Sequence, residues 1–540
     1  MFIKITKSGN YKYCQAVESF KQAGITRHKV LFNLGRLDII QNNPTFQNFA
    51  RRLGQLSKAA SPLSLGSVSE AEITNWGYVA YKKIWEAFGL DKILACIASG
   101  TKISFDLSKT SFLMAVSHLL NPSSKLSVYN NQDKYTGLAP VGLNELYRSL
   151  DILAGSKEKI EKEIFETNTN LFNMSVDVVF YDVTTFSFSS VRPDSLKDFG
   201  YSKKGKPNKV QVVMGLLIDC YGRPVGYELF SGNTFDGKTL PSALDALEKR
   251  FGIRKVVIVA DKGIASKVNL KEITDRGYGY IFAYRLKSAS DKIKAEVFSG
   301  GYSQLQDSDE ALSYKVISNK DSFYAGSKKV SLDQRIVITY SEKRAKKDRL
   351  DRQRMVDKAQ DLLENFSKIK ASNRRGAKKY IKQQADNVDY FLDETAIEAD
   401  SRFDGYYAIA TNQDDISAED VVSAYHNLYK IEESFRIMKS SLEVEPVFVW
   451  TPKRIKGHFV VCFLAFLLER HLEFKLHKND ISASADKIRQ ALNSLSFAKV
   501  SINENTYFIK TTATDLAHKI LRILKIGSPK NITPVEELSL

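Results

Sequence analysis

The sequence predicts an α/β protein in which a mixed sheet is interrupted by a β-rich, basic insertion and preceded by N-terminal β and helical regions. Three observations carry that prediction. From Ser175 onward, three strand-like runs are followed by helix, strand, helix and strand, an order that packs helices onto one sheet. Upstream of that point, apolar residues recur at i, i+3 and i+4, the period of amphipathic helices. Beyond residue 290 the pattern breaks into short strands and a strongly basic helix.

Residues 1–60 open with alternating, turn-rich segments ("MFIKITKSGNYKYCQAVES", "HKVLFNLGRL") and read as a small β-rich unit. The Ser/Gly-rich run "SKAASPLSLGSVSE" (57–70) reads as a linker. Residues 61–172 read as helices, among them "NWGYVAYKKIWEAFGL" and "KTSFLMAVSHLLNP". Residues 173–290 hold the strands 176–188, "VQVVMGLLIDCYG" and "RPVGYELFSG". The helix "TLPSALDALEKRFG", the strand "KVVIVADKG", the helix "SKVNLKEITDRG" and the strand "YGYIFAYRLK" follow. That order matches the first half of a ribonuclease-H-like fold. Residues 291–400 form the expected insertion. Its stretch 341–386 carries fifteen Lys/Arg against seven Asp/Glu; "DRLDRQR" fits intrahelical ion pairing, and the remaining surplus favours phosphate. Residues 401–475 complete the core with "YYAIATNQ", a long amphipathic helix over 417–440 and an apolar helix over 456–475. A helix, a hairpin and a last helix are expected in 476–540.

A chain of 540 residues exceeds one ordinary core, so two to four domains are expected. The formal charge of +17 points to a polyanionic partner, nucleic acid first. No basic amphipathic helix with an aromatic face suggests a membrane surface. The greasiest run, "FVVCFLAFLL" (459–468), falls short of the ~20 apolar residues a spanning helix needs. No secretory h-region opens the sequence, and four scattered cysteines form no CxxC, which fits a reducing cytoplasm. With the seven histidines equally scattered, a bound metal is expected to have oxygen ligands.

"GYSKKGKP" (200–207) imitates a phosphate-binding loop, but Pro207 replaces the required hydroxyl and the segment runs into a strand. Its Lys203, Lys204 and Lys206 read instead as a basic hairpin loop. The strand beside it, "VVFYDVTTFSF" (178–188), places Asp182 among apolar and aromatic residues. Such a carboxylate either caps a turn or is paired with a cation. A second strand, "VVIVADKGIAS", ends in Asp261, where open α/β sheets place their sites. If the two strands are neighbours, the like charges call for a counter-ion, and magnesium or manganese suits oxygen ligands. A third acid stands in "YHNLYKIEESFRIMK" (425–439). At helical spacing Tyr425, Glu432, Arg436 and Lys439 share a face, with Ile431, Phe435 and Met438 on an apolar stripe. That face could equally be laced by a Glu432–Arg436 pair. Glu433 points ~100° away by the same spacing.

Together these segments resemble the DDE transposases of bacterial insertion sequences, specifically the insertion-sequence-4 superfamily and its 1634-type branch. The resemblance spans roughly 175–475. It rests on "YDVTT", the block "GYSKKGKPNKVQVVMGLLIDCYGRPVGYELFSGNTFDGKTL", "VADKG", the Y-x6-E-x6-K spacing of Tyr425, Glu432 and Lys439, and "VFVWTPKRIKGHF". The chain departs from the family at Leu428, where Arg is usual, and at Glu445, where a basic residue is expected. Both departures bear on DNA contacts and leave the acidic triad intact.

The resemblance implies that Asp182, Asp261 and Glu432 hold two Mg2+ ions, with Mn2+ as substitute, for cleavage at the element ends and joining of the 3′-hydroxyls to target DNA. It implies cut-and-paste movement and phosphate contacts by Tyr425, Arg436 and Lys439. Lys203, Lys204, Lys206, Lys453 and Arg454 are further phosphate candidates. The expected partners are terminal inverted repeats, target DNA and a second copy of the chain in the bacterial cytoplasm at the nucleoid. End recognition would fall to the N-terminal residues 1–165 and the helical region 61–172, with the C-terminal tail as a further candidate. Competing readings are a DNA-binding protein with an inactive nuclease fold, a metal-dependent nuclease that never joins ends, and a two-carboxylate glycosidase, which the basic surface disfavours. Inverted repeats flanking the gene would separate a mobile element from the first two.

Overall fold

The computed structural model describes residues 1–22, 25–56, 71–171, 174, 177–200, 208–305, 312–325, 328–364, 376–383, 390–502 and 505–538. The chain divides into two compact units. One comprises Met1–Glu72, Lys499–Ile509 and Ile532–Glu536, and the other holds the remainder. In the first unit, β1 (Phe2–Ser8), β2 (Tyr11–Gln22) and β3 (Ile25–Arg36) form an antiparallel meander. Ser8 pairs with Tyr11 across a two-residue turn in which Gly9 takes φ +59°, a conformation glycine adopts without steric cost. A helix over Pro44–Leu56 follows.

After β4 (Glu72–Asn75), the helices Val79–Ala87, Leu90–Ser99, Leu107–Leu120, Lys125–Asn130 and Leu143–Leu171 fill the region where helical periodicity was read. The large sheet then begins with β5 (Val178–Ser187), β6 (Gln211–Asp219), β7 (Pro224–Ser231), β8 (Val257–Ala260) and β9 (Gly279–Ala283). It continues with β10 (Ser303–Gln304), β11 (Leu312–Ala325) and β12 (Lys328–Ser341). Among the described residues β13 (Ile381–Gln383) and β14 (Tyr390–Leu392) pair with each other as a separate two-stranded sheet, and β15 (Tyr406–Thr411) returns to the large sheet.

Among the described residues the order of the large sheet is β10-β11-β12-β15-β9-β8-β5-β6-β7. β6 runs antiparallel to both of its neighbours, β5 and β7, while β5, β8 and β9 run parallel. That arrangement of the first five strands is ribonuclease-H-like. β6 is buried at all nine residues, which is why it reads as an unbroken apolar run. Two of the insertion strands, β11 and β12, are long, fourteen residues each; β11 pairs with β12 and β12 with β15, so they extend the same sheet.

Two helical layers cover the sheet. On one face Tyr181, Val183, Ile258, Ala260, Tyr280 and Phe282 pack with Leu244, Leu247 and Ile273. On the other, Phe186 meets Phe459 at 5.2 Å and Tyr227 meets Phe463 at 5.3 Å between ring centroids. Both partners belong to the helix Pro452–His477, so the greasiest run of the sequence is a core helix. Among the described residues no helix is long and apolar enough to cross a membrane. Gly457 lets that helix close on Leu143–Leu171, because a Cβ there would lie 2.0 Å from the Leu150 carbonyl oxygen.

Candidate active site: two strand carboxylates beneath an interrupted helix

β5 and β8 pair in parallel from Val178↔Val257 to Tyr181↔Ala260. The next residue on each strand is Asp182 and Asp261. Neighbouring strands run about 4.8 Å apart, so the two carboxylates start from adjacent backbone positions. Side chains alternate along a strand. Tyr181 and Ala260 enter the core on one face, and Asp182 and Asp261 therefore share the opposite face with Thr184 and Phe186. Both aspartates are half-buried. The register thus brings together two acids 79 positions apart in sequence.

The helix expected over 417–440 is interrupted twice. It runs Ala418–His426, tightens through i→i+3 bonds at Leu428, Lys430 and Ile431, continues as Tyr429–Arg436 and widens into a π turn at Ile437–Ser441. The uniform 100° spacing behind the single-face reading therefore does not hold along the whole stretch. Tyr429–Arg436 packs on β5. Lys430 pins it by donating to the Cys220 carbonyl at 2.6 Å. Glu432 lies exposed in its first turn.

Arg436 pairs with Glu433 at 3.6 Å, not with Glu432, and Arg470 also approaches Glu433 at 3.4 Å. Glu433 is thereby occupied by structural ion pairs. Among the described residues neither Asp261 nor Glu432 has an ion-pair partner.

Lys439 donates to Thr184 Oγ at 2.5 Å and lies over the Phe186 ring, which brings its ammonium to the Asp182 face. Thr184 is the residue that reading the sequence missed; its signal was position i+2 from Asp182 on a strand. Tyr425 shares a short hydroxyl hydrogen bond with Tyr407, and Arg344 stacks on Tyr407 at 4.4 Å. Burial raises both phenols, Tyr407 to about 12 and Tyr425 further, with the Asp261 charge adding to each. Both hydroxyls therefore stay protonated at neutral pH.

Tyr407 and Arg344 also line a groove of about 1150 Å3 with Asp261, Asp236, Lys262 and Arg285. Much of the groove's remaining charge cancels locally, as in Lys287–Asp400 at 2.9 Å and Lys379–Asp400 at 2.7 Å.

Lys453 is exposed, whereas Arg454 pairs with Asp151 at 3.5 Å and stacks on Tyr147. Lys203, Lys204 and Lys206 lie outside the described residues. In the basic stretch, Arg354–Asp351 and Arg352–Asp404 pairs absorb part of the positive charge. The two family departures have structural roles. Leu428 is buried, and Glu445 Oε2 accepts from the Ser187 N–H and hydroxyl at 2.9 Å each.

Residues 175–468 match the family described as the transposase DDE domain, and residues 3–63 match the N-terminal domain of the IS1634 family transposases. No curated protein matches the chain. Among solved structures, the piggyBac transposase of a synaptic complex with hairpin DNA aligns at TM-score 0.36 and 9% identity. That alignment covers 79% of this chain and 83% of the other. Mos1 transposase in a paired-end complex with its left transposon end aligns at TM-score 0.14 and 12% identity, over 32% and 57% of the two chains.

Proposed function

The chain belongs to the DDE transposases of the IS1634 type, and on that premise we propose that it binds the ends of its element, cleaves phosphodiester bonds there and joins the 3′-hydroxyls to target DNA. The observation that carries the reading is the β5–β8 register, which sets Asp182 beside Asp261 under the helix that bears Glu432.

The donor set fits hard divalent cations. All three side chains offer carboxylate oxygens, the ligands magnesium and manganese take. Asp182, Asp261 and Glu432 would hold two such ions, which when bound activate the attacking oxygen and relieve charge on the leaving one. The chain's other residues position DNA. Lys439, anchored on Thr184, directs an ammonium to the Asp182 face, where a backbone phosphate is the natural partner. Tyr425, kept protonated, can donate to a phosphate oxygen. Arg436 is 71% exposed on its side chain and Lys453 is exposed, so both are available to the DNA backbone. Arg454, Lys203, Lys204 and Lys206 complete the proposed contacts. A dimer that synapses two ends, acting in the bacterial cytoplasm at the nucleoid, follows from the same reading.

The test uses a duplex carrying the element's terminal repeat, with magnesium or manganese, and follows nicking and joining. Parent protein should do both, and Asp182→Ala, Asp261→Ala and Glu432→Ala should do neither while still binding the duplex. Tight binding by the parent with no cleavage in either metal would sink the proposal in favour of a non-cleaving DNA-binding protein.

A further inference from the structure

A buried polar cluster lies in the helical layer, and nothing in the cleavage reading uses it. Lys125 is 5% exposed, His118 3%, His458 5% and Cys462 fully buried. They come from three helices, Leu107–Leu120, Lys125–Asn130 and Pro452–His477. The Lys125 ammonium donates to His118 Nε2 and to His458 Nδ1, each at 3.1 Å. An ammonium only donates, so these two ring nitrogens are acceptors and the opposite nitrogen of each ring carries the proton. Each proton has a backbone carbonyl to meet. His118 Nδ1–H donates to the Leu442 carbonyl at 2.9 Å, and His458 Nε2–H donates to the Val444 carbonyl at 3.3 Å.

Those carbonyls belong to the segment directly after the π turn that carries Lys439. The turn itself closes through Leu442 N–H on the Ile437 carbonyl and Val444 N–H on the Met438 carbonyl. Backbone just beyond Lys439 is thus fixed from one side by β5 and from the other by two imidazoles.

We propose that Lys125 is a positioning residue for cleavage: its ammonium sets the tautomers of His118 and His458, which clamp Leu442 and Val444 and so hold Lys439 on the Asp182 face. The inference rests on the cleavage reading of that face. Burial keeps the histidines neutral, His118 falling to about 3 and His458 also well below its ordinary value. Neutral rings are what the acceptor role requires.

His118, His458 and Cys462 also present ligand atoms within 4.8 Å of one another, the kind of set a zinc-class ion takes. Lys125 Nζ already occupies the point where the two ring lone pairs converge, so a cation is built into the chain there.

The experiment compares parent, Lys125→Met and, as a control of similar burial on the neighbouring helix, Leu119→Ala. It reads amide hydrogen exchange at Leu442 and Val444, DNA affinity and cleavage rate, all on the full chain. Lys125→Met should speed exchange at those two amides about tenfold beyond any change in global stability. It should also slow cleavage roughly tenfold to hundredfold at unchanged DNA affinity. Leu119→Ala should lower the melting temperature and leave both local exchange and cleavage as in the parent. Should Lys125→Met fail to fold, His118→Gln reads the same amides through loss of the imidazole that links Lys125 to the Leu442 carbonyl.

Unchanged exchange at Leu442 and Val444 in a folded Lys125 variant would overturn the clamp. So would stoichiometric cobalt binding by the parent with a thiolate charge-transfer band lost in Cys462→Ser, which would make the cluster a metal site. A parent that cuts no DNA yet shows the exchange effect would keep the clamp and remove the transposition reading, so the two failures are distinguishable.

Discussion

The two halves of the candidate site are held by different kinds of bond. Asp182 and Asp261 stand on paired strands, and their relative position follows from backbone hydrogen bonds and a buried opposite face. Glu432 and Lys439 stand on a segment broken by a tight turn and a π turn, held by side-chain contacts with other elements: Lys430 on Cys220, Lys439 on Thr184, Arg470 on Glu433, and His118 and His458 on the following carbonyls. A one-residue slip in β5 would send Asp182 into the core, so the strand half has one stable answer. The helix half has several anchors, each worth a small free energy, and its geometry can be adjusted piecemeal. On the proposed reading, a polynucleotide site would gain from that division, with fixed carboxylates on one side and a tunable phosphate grip on the other.

The comparison predicts unequal sensitivity. Asp182→Asn and Asp261→Asn should reduce metal-dependent cleavage by about 10³-fold or more, because several kcal/mol of charge stabilisation are lost at ~1.4 kcal/mol per tenfold. Glu432→Gln should match them if the helix half contributes a ligand; a much milder loss would leave the strand pair acting alone. Thr184→Val removes only the anchor of Lys439. A hydrogen bond to a charged group contributes about 1.5–3 kcal/mol, so cleavage should fall roughly tenfold to hundredfold with DNA affinity retained. An equal fall in affinity would mean that Lys439 binds DNA without guiding cleavage.

Glu445→Ala strips two hydrogen bonds from Ser187 at the end of β5 and should cost about 2 kcal/mol of unfolding free energy, measured by denaturant titration. The smallest effect concerns the core helix behind the strands. Burial, followed by the charge of Glu473, raises the Glu469 carboxyl, and Tyr81 donates to it at 2.5 Å. The folded state therefore keeps a proton that the unfolded chain has released, and stability should decline as pH rises above the ordinary carboxylate range. Glu469→Gln should flatten that decline in melting temperature against pH; an unchanged slope would assign it to other groups.

Much of the strand half is legible in the sequence. A carboxylate inside "VVFYDVTTF" and another ending "VVIVAD" violate the apolar pattern of buried strands, and such violations mark sites. The order of element types matches the first half of a ribonuclease-H-like fold, and the pairing of the two aspartate strands is assumed from that match. β5 and β8 are not consecutive, and the helix between β7 and β8 makes their parallel pairing possible. Less of the helix half could be read. Periodicity placed Tyr425, Glu432, Arg436 and Lys439 on one continuous helix, but the turns at Leu428 and Ile437–Ser441 change the angular step. Arg436 could be paired with Glu432 or Glu433 by spacing, and Arg470, far along the chain, sits against Glu433. β10, β13 and β14 are short, as expected of the insertion; β11 and β12 are longer than expected, and their alternating, half-exposed polar faces hide that length in the sequence. The Lys125 cluster was invisible, since His118, Lys125, His458 and Cys462 satisfy no metal or capping motif and meet only in space.

The sequence by itself determined the fold class, the basic character and the two strand aspartates, because strand and helix periods, charge and misplaced polar residues are written locally along the chain. Only the tertiary structure decided which carboxylates remain outside ion pairs, where Lys439 is anchored and what braces the backbone behind it. Those outcomes depend on side chains hundreds of residues apart competing for the same hydrogen bonds, and that competition is settled when the layers pack.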